Sequence, residues 1–385
     1  MRILIFAPNY LPAIRYGGPV RSTHGLARGL VAAGHEVTVL STDMDGPGRL
    51  EVPLDRAVEM DGVSIHYCPI RTPKRLYYSP IMAQLIDEIV PNMDAVHVNG
   101  LFLWPGPRIA RTARRCGVPV VISPRGMLMP EMVAGKSRLA KTAWIALQER
   151  SILRSARAIH VTSEGEAEGL LAMGRDLAPV TIVPNGVEIP EAAPTAEEIA
   201  EIWGDVPPGR RVAFLARLDW TKGVDLAIEA ARAHPDAVLR IAGHDQIDLR
   251  AKLEPRLRRD DGSSAGAFLG PLDGARKWAF LAGADLLLAP SVRESFGMSV
   301  AEALAVGTPA CVTPGVGARD LVAEVDVGLV VPREARALTA AMATFLADPV
   351  RRKTASTRAR EMMAKRYDWR AIAVRMAALY SGDTA

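Results

Sequence analysis

The clearest pattern in the chain runs from Ala284 to Val306. It begins with a short apolar run closed by proline, Ala284-Asp-Leu-Leu-Leu-Ala-Pro290, which predicts a buried strand of a parallel sheet. The segment Glu294-Ser-Phe-Gly-Met-Ser-Val-Ala-Glu302 follows, and helix-forming residues continue to Gly307. The order of strand, tight loop and helix indicates an open α/β sheet, which binds ligands beyond the carboxyl ends of its strands.

Two glutamates in this segment carry groups that suit a sugar ligand. Glu294 lies on the predicted loop and Glu302 lies about one turn into the predicted helix. A carboxylate can accept hydrogen bonds from two neighbouring hydroxyls, as a ribose or pyranose edge presents them. Gly297 permits a close turn, so we expect the first N–H groups of the helix to face a ligand. Isolated glutamates are more often a cap and a solvated helix residue, so this interpretation needs support elsewhere in the chain.

The pattern E-S-F-G-x-x-x-x-E, with A-L-A-x-G-T-P after it, resembles the E-x7-E signature of the retaining glycosyltransferases of family four, including bacterial polysaccharide and lipopolysaccharide enzymes. The resemblance implies the GT-B fold, which is α/β with two Rossmann-like parallel-sheet domains facing a cleft. It implies that Glu302 holds the ribose of a nucleotide-sugar donor. The residues it places at the transferred sugar are Glu294, Ser295, Phe296, Gly297 and Met298.

A second motif supports the same family. Arg211-Val-Ala-Phe-Leu-Ala216 predicts a strand, and Arg217-Leu-Asp-Trp-Thr-Lys222-Gly223 predicts a loop before a helix. The segment is similar to the family's G-R-L-x-x-x-K-G motif, with Ala216 in place of the customary glycine. Arg217 and Lys222 would clamp the donor diphosphate and stabilise it as it leaves. The resemblance also places Gly243, at the end of the next strand, near the base.

The first half of the chain opens with a βαβ pattern. Residues 2–7 predict a strand, and residues 19–33 and 36–40 predict a helix and a second strand. Gly17 and Gly18 precede the helix and permit close approach of a phosphate, although a plain turn is also consistent with them. Family members place such a pair against the donor diphosphate. Asp43-Met-Asp45 matches a D-x-D metal motif only superficially, and we predict no metal site there.

Four residues after later strands are candidates for the acceptor side. The strand Asp94-Ala-Val-His-Val-Asn-Gly100 ends in His97 and Asn99, a pattern that resembles the family's acceptor-side strand, although a strand-end histidine is often structural. Arg125 follows the strand of residues 118–123, where relatives often carry a histidine. An arginine is a permanent cation that suits anion binding and not base catalysis. Glu131 is the fourth candidate.

The pattern divides the chain near residue 190. The segment Val183-Pro-Asn-Gly-Val187 is similar to the family's approach to its second domain, and residues 190–200 predict an irregular connection. We therefore predict an acceptor-side domain of residues 1–189 and a nucleotide-sugar-binding domain of residues 190–367. The resemblance implies that the final helix, within 368–385, crosses back to the first domain.

Composition excludes several classes of protein. Of the 385 residues, 49% are hydrophobic and 23% are charged, as in ordinary globular proteins. No apolar run reaches about 18 residues, so we expect no transmembrane helix and a cytoplasmic location. Three widely spaced cysteines predict thiols rather than a disulfide frame or a zinc site. The chain carries no nucleic-acid-binding motif.

Positive charge concentrates in residues 101–157, which hold eleven Lys and Arg residues against two acids. Within this segment, residues 137–154 predict a basic amphipathic helix. An anionic membrane surface is one partner of such a helix, and simple packing on its own domain is the other interpretation.

The sequence therefore favours a metal-independent, cofactor-free, retaining glycosyltransferase that uses a GDP- or UDP-linked sugar. Its acceptor would be a saccharide, with a lipid-linked acceptor in cell-surface polysaccharide or lipopolysaccharide synthesis favoured by the basic segment, on the inner face of the membrane. The alternatives are a soluble transferase acting on a small molecule, another GT-B enzyme such as a nucleotide-sugar epimerase, and an inactive nucleotide-sugar-binding protein.

Overall fold

The computed structural model describes residues 1–72, 74–129, 138–172 and 176–383. Contacts divide them into two units, one of residues 1–186 and 369–385 and one of residues 187–368. For comparison, the sequence predicts 1–189 and 190–367. The final helix belongs to the first unit.

The N-terminal unit contains an eight-stranded sheet. Its strands and those of a small hairpin are β1 (Arg2–Phe6), β2 (Glu36–Thr42), β3 (Met44–Asp45), β4 (Gly48–Arg49), β5 (Val58–Met60), β6 (Val63–Cys68), β7 (Ala95–Asn99), β8 (Val120–Ser123), β9 (Ala158–Val161) and β10 (Val180–Ile182). The strand order is β10-β9-β8-β7-β1-β2-β6-β5, and all pairs are parallel except β5 with β6. Strands β3 and β4 pair separately.

Helices cover both faces of this sheet. They are α1 (Gly18–Ala32), α2 (Pro80–Ile89), α3 (Pro105–Arg115), α4 (Arg138–Trp144), α5 (Arg150–Ser155) and α6 (Glu164–Leu171). A π-helical turn, Ile145–Glu149, joins α4 to α5, so the predicted helix of residues 137–154 is three successive helical pieces. Strands β1, β7, β8 and β9 are almost wholly buried, as expected where helices cover both faces.

The C-terminal unit repeats the arrangement with six strands. They are β11 (Arg211–Leu215), β12 (Val238–Ala242), β13 (Gly266–Gly270), β14 (Leu286–Ala289), β15 (Ala310–Val312) and β16 (Gly328–Val330). All pair in parallel in the order β13-β12-β11-β14-β15-β16. The helices are α7 (Ala196–Trp203), α8 (Val224–Ala233), α9 (Leu249–Leu253), α10 (Gly274–Ala282), α11 (Met298–Ala305), α12 (Arg319–Glu324), α13 (Ala335–Ala347) and α14 (Pro349–Met362).

The last helix, α15 (Trp369–Ser381), packs on α1 of the N-terminal unit. Two glycines make this packing close, because a Cβ atom on Gly25 or Gly29 would lie within 2.6 Å of Trp369. The buried residues Ile372, Ala373 and Met376 join the core around β1. Two Rossmann-like units of this kind form the GT-B fold that the sequence predicts, and that prediction is confirmed.

Some elements differ from the sequence-based expectations. The polar residues of segments 43–62 and 69–80 predict irregular structure, yet β3, β4 and β5 lie within the first segment and α2 begins at Pro80. The predicted connection of residues 190–200 contains the start of α7. Thr195 caps this helix, since its Oγ1 accepts from the Glu198 N–H and the Glu198 carboxylate accepts from the Thr195 N–H.

Candidate functional site

The strand order of the C-terminal unit identifies its ligand edge. From β11 the chain continues to β12 on one side, whereas β14 pairs with the other side of β11. The strand order therefore reverses between β11 and β14. In open α/β sheets the crevice at such a reversal, beyond the carboxyl ends of the strands, is where ligands bind. The loops that leave β11 and β14 are those that carry the two sequence motifs.

The loop after β14 holds Glu294 in a fixed backbone position. The Glu294 N–H donates to the Gly315 carbonyl at 2.9 Å, and its carbonyl accepts from the Gly317 N–H at 3.0 Å. Its side chain accepts from the Ser291 hydroxyl at 2.6 Å. Because Ser291 is buried, this hydrogen bond directs the carboxylate from inside the unit.

The same loop turns into α11 at Gly297. This residue has a φ of 106°, and a Cβ atom there would lie 2.9 Å from Val316, so a side chain would be both strained and crowded. Phe296 before it is buried, and its carbonyl accepts from the Ala318 N–H. Met298 begins α11, whose first N–H groups have no acceptor within the helix. Ser295 lies on the loop between Glu294 and Phe296 and is partly exposed.

The loop after β11 brings a cation to this carboxylate. Residues Trp220–Lys222 form one 3-10 turn, which Asp219 caps by accepting from the Thr221 N–H at 2.8 Å. Lys222 ends the turn, and its Nζ lies 3.0 Å from Glu294 Oε1. Gly223 follows with a φ of 72°, and a Cβ atom there would lie 2.3 Å from the Pro290 carbonyl oxygen. The glycine therefore allows the two loops to meet.

Arg217 and Gly243 complete the β11 edge. Arg217 is exposed just beyond the strand. Gly243 has a φ of 151°, and a Cβ atom on it would lie 1.7 Å from the Ala216 carbonyl oxygen. Ala216, which departs from the family motif, is thus accommodated. Its backbone carbonyl makes the close contact, and the residue that must lack a side chain there is Gly243.

Glu302 has a partner that the sequence interpretation missed. It lies on α11, and its Oε1 accepts from Lys277 Nζ of α10 at 2.8 Å. Both side chains are largely buried, with 8% of Lys277 and 14% of Glu302 exposed. The Lys277 Nζ also lies 4.2 Å from the ring centroid of Trp278. The second glutamate of the pattern is therefore not a solvated helix residue.

The N-terminal unit has an equivalent reversal between β1 and β7, which lie side by side. Gly17, in the loop after β1, has a φ of 71°, and its N–H donates to the Ile14 carbonyl. Gly18 begins α1, so the glycine pair lies at a helix N-terminus, as predicted. A Cβ atom on Gly17 would meet nothing within 4 Å, so its positive φ, not crowding, favours glycine.

Arg125 lies near the carboxyl end of β8 and is held by two amide side chains. Its Nε donates to Asn99 Oδ1 at 2.9 Å, and its Nη1 donates to Asn185 Oδ1 at 3.0 Å. Burial lowers the pKa of Arg125 from its ordinary value, and Glu166 opposes that shift. Asn99 is buried and also donates to the Phe6 carbonyl at 3.1 Å. The predicted strand-end pair of Asn99 and Arg125 is therefore one hydrogen-bonded cluster, which Asn185 completes.

His97 is fully buried, and both of its ring nitrogens have partners. Nδ1 lies 2.7 Å from the Tyr380 hydroxyl, and Nε2 lies 2.6 Å from the Ser123 hydroxyl. The Ser123 oxygen lies 2.6 Å from His160 Nδ1, and His160 Nε2 lies 2.8 Å from the Val183 carbonyl oxygen. His97 therefore offers no free nitrogen to an acceptor in this conformation.

The final carbonyl sets the direction of this hydrogen-bonded chain. A carbonyl oxygen only accepts, so His160 carries its proton on Nε2 and accepts at Nδ1. Ser123 then donates to His160 and accepts from His97 Nε2, and Tyr380 donates to His97 Nδ1. Burial lowers the pKa of His160 to about 3 and lowers that of His97 well below its ordinary value, so both rings are neutral. The chain ties α15 to β7, β8 and β9.

Glu131, the fourth acceptor-side candidate, lies outside the described residues. The aspartates of the D-x-D pattern have other partners. Asp43 is buried, pairs with Arg49 and accepts from the Ile70 N–H, and Asp45 pairs with Arg15 at 2.9 Å. That the pattern is not a metal motif stays a prediction.

The described cations of the basic segment 101–157 have both acidic and neutral partners. Arg108 and Arg154 pair with Asp87 and Asp176. By contrast, Arg111 and Arg114 donate to the neutral side chains of Gln148 and Ser151, and Arg115 donates to Thr112. In the same segment, Leu139 and Leu147 are 86% and 78% exposed. Lys136 lies outside the described residues.

Comparison with known proteins agrees with this geometry. Residues 17–186 match the glycosyl transferase 4-like domain, and residues 196–362 match glycosyl transferases group 1. The chain belongs to the glycosyltransferases. A glycogen synthase of Mycobacterium tuberculosis is 27% identical over 99% of this chain and 94% of its own length. A GDP-mannose-dependent α-mannosyltransferase of Mycolicibacterium smegmatis is 29% identical, over 86% of this chain and 84% of its own.

Solved structures agree on the fold of this glycosyltransferase. HepE of Anabaena, solved with UDP and glucose, has a TM-score of 0.76 and 18% identity, and the match covers 99% of this chain and all of HepE. Among the described residues, no helix is long and apolar enough to cross a bilayer.

Proposed function

We propose that this glycosyltransferase takes a sugar from a nucleotide-sugar donor held at the β11–β14 edge and transfers it with retention of configuration. The observation that carries the proposal is the ion pair between Lys222 and Glu294. It brings a cation suited to phosphate and a carboxylate suited to hydroxyls together at the strand reversal. A donor needs both, since its diphosphate is anionic and its sugar is a polyol.

Each group at this edge has a role that its chemistry suits. Arg217 and Lys222 bind the diphosphate, with the planar guanidinium of Arg217 suited to two phosphate oxygens at once. Glu294 accepts hydrogen bonds from the sugar hydroxyls, and the N–H groups at the start of α11 donate to its oxygens. Glu302 accepts from the ribose. Gly243 leaves room beside the loop for the base.

The transfer itself needs no protein base. The bond between the anomeric carbon and the phosphate oxygen breaks, and the acceptor oxygen bonds to the same face of the sugar. The acceptor proton passes to the departing phosphate oxygen. Arg217 and Lys222 stabilise the charge that develops on the diphosphate, which is the electrostatic assistance that such a step requires. We therefore propose that the reaction proceeds without a cofactor or a metal ion.

The acceptor we propose is a saccharide, lipid-linked and used in cell-surface polysaccharide or lipopolysaccharide synthesis. Support comes from the basic segment, which combines an excess of cations with the exposed side chains of Leu139 and Leu147, as suits a membrane with anionic headgroups. The nucleotide of the donor is GDP or UDP. The mycobacterial mannosyltransferase takes GDP-mannose and HepE binds UDP, so relatives offer both.

Calorimetry tests the donor site directly. GDP, UDP and ADP, then their sugar conjugates, are titrated into wild type, Lys222→Ala and Lys252→Ala. Lys252 is an exposed cation of the same unit, on α9, and serves as the matched control. We expect one nucleotide to bind best and Lys222→Ala alone to weaken it at least tenfold. Equal affinity in the Lys222→Ala and Lys252→Ala variants would contradict the clamp. Product analysis then separates transfer from epimerisation or mere binding.

A further inference from the structure

Lys277 is a buried cation that pairs with a carboxylate, on a helix that neither sequence motif includes. It lies on α10, and the carboxylate it contacts belongs to Glu302 on α11. Its side chain is 8% exposed. A lysine is seldom buried to this degree without a paired acid, so the contact is a specific one.

The contact constrains how Glu302 presents its oxygens. The ammonium engages Oε1 at 2.8 Å, which fixes the rotation of the carboxylate about its last bond. The lysine is fixed in turn, because its Nζ also lies 4.2 Å from the ring centroid of Trp278. A long, flexible glutamate would otherwise lose rotamer freedom on binding a ligand, and that loss weakens affinity.

We propose that Lys277 is a positioning residue for the ribose of the donor, acting through Glu302. This inference rests on the proposed function, in which Glu302 accepts hydrogen bonds from the ribose hydroxyls. Lys277 holds the carboxylate in the orientation that meets those hydroxyls, so it contributes to the preference for ribonucleotides without touching the ligand. The chemical class it selects is a nucleoside diphosphate with an intact ribose diol.

The test compares ribose with deoxyribose ligands. Dissociation constants of UDP and GDP and of their 2′-deoxy and 3′-deoxy forms are measured on wild type, Lys277→Met, Lys277→Arg and Glu302→Gln. Arg276→Met is the control, since Arg276 is an exposed cation next to Lys277 on the same helix. For whichever diphosphate binds better, we expect wild type and Arg276→Met to prefer the ribose form about tenfold over at least one deoxy form.

Lys277→Met should reduce that preference to nearly one, and Lys277→Arg should restore part of it because a cation again meets Glu302. A purely structural role would weaken ribose and deoxyribose ligands by the same factor and leave their ratio unchanged. If the preference for ribose is unchanged in Lys277→Met but lost in Glu302→Gln, the inference about Lys277 alone is overturned. A ratio that also survives Glu302→Gln overturns the proposed ribose site itself. If Lys277→Met does not fold, Lys277→Gln provides the same ratio.

Discussion

Lys222 Nζ lies 3.0 Å from Glu294 Oε1, although the two residues belong to loops that leave different strands. Ser291, from the interior of the unit, donates to the same carboxylate oxygen. The pair is therefore held from both sides of the strand reversal. In the proposed function, a donor whose diphosphate binds Lys222 has its sugar beside the Glu294 carboxylate.

Replacement of Glu294 by Gln should separate the sugar from the diphosphate. The variant keeps the size of the side chain but loses the charged acceptor, so kcat/KM for the donor should fall ten- to a hundredfold. Affinity for the nucleoside diphosphate without its sugar should fall less than threefold, because Lys222 remains. Steady-state kinetics and calorimetry measure the two quantities.

Glu324→Gln is the matched control for this experiment. Glu324 also pairs with a cation, Arg366, at 2.6 Å in the same unit, but both side chains are about half exposed. Its replacement should change neither quantity. Equal losses of affinity for the diphosphate and for the sugar conjugate in Glu294→Gln would contradict the assigned role.

The buried chain from Tyr380 to Val183 predicts a graded loss of stability. Tyr380→Phe removes one donor and leaves His97 Nδ1 without its partner, which should lower the free energy of unfolding by about 1–2 kcal/mol. Ser123→Ala interrupts the chain in the middle and leaves a buried donor on His97 and a buried acceptor on His160. We expect a loss of about 2–4 kcal/mol.

Urea denaturation of both variants measures these losses. Tyr77→Phe is the control for loss of a hydroxyl, since its hydrogen bond to Asn9 is long at 3.3 Å. It should cost less than Tyr380→Phe. If Ser123→Ala were no more destabilising than Tyr380→Phe, the central position of Ser123 between two buried histidines would not govern the loss of stability.

The sequence predicts the alternation of strands and helices well where Gly or Pro marks the end of an element. The predicted strand of residues 2–7 corresponds to β1 (Arg2–Phe6), and the predicted helix of residues 19–33 corresponds to α1 (Gly18–Ala32). Apolar runs that end in Gly or Pro provide this accuracy, since those residues stop regular structure.

The helices and strands that the sequence did not predict have local sequences that usually indicate other structures. Helix α3 begins Pro105-Gly-Pro107, which usually indicates a turn, although proline in the first helical turn costs no hydrogen bond. Strand β6 lies between two polar segments that are predicted to be irregular, and no strand is predicted there. For α7 a signal was present, because Thr195 and Glu198 have the spacing of a capping box.

The candidate site could be predicted only where it lies within a motif. Glu294 and Lys222 come from two patterns, and the reversal of the strands brings them together. Lys277 and Asn185 lie 25 and 60 residues from their partners, Glu302 and Arg125. One sequence contains no signal for such contacts, since they depend on how helices and loops pack on the sheet.

Glu149 gives the N-terminal unit a predicted dependence on pH. Its carboxyl is fully buried in the π-helical turn, and Oε1 accepts from the Phe102 N–H and the Trp144 Nε1–H. Oε2 has no partner among the described residues. Burial raises the pKa of Glu149 to about 7, and those two hydrogen bonds oppose the shift.

The sign follows from proton binding. Between the ordinary pKa of about 4.5 and the folded value of about 7, the folded state binds more protons than the unfolded state. The stability that protonated Glu149 contributes is fully present below pH 4.5. It is lost as the pH rises through the folded pKa of about 7, at up to about 1.4 kcal/mol per pH unit. Glu149→Gln should therefore gain about 1.4 kcal/mol of stability relative to wild type between pH 6 and pH 8.5, because only the interval up to the folded pKa of about 7 contributes. Urea midpoints at both pH values measure it, and a constant difference would contradict the raised pKa.

The basic segment predicts binding to anionic membranes. Arg111, Arg114, Arg115 and Lys141 belong to the same segment as the exposed Leu139 and Leu147. Neutralising all four should remove most of the protein from sedimenting vesicles that contain an anionic phospholipid, because each cation near such a surface contributes about 1 kcal/mol. Added salt should weaken wild-type binding in the same way.

A second quadruple variant distinguishes a local surface from overall charge. Neutralising Lys252, Arg336, Lys353 and Lys365, which are exposed on the other unit, changes the net charge by the same amount. It should leave vesicle binding nearly intact. Leu139→Asp should weaken binding further than charge loss alone, because an apolar side chain enters the headgroup layer and an aspartate does not. If both quadruple variants sediment equally with the vesicles, the basic segment is not the membrane-binding surface, and a soluble acceptor becomes the better interpretation.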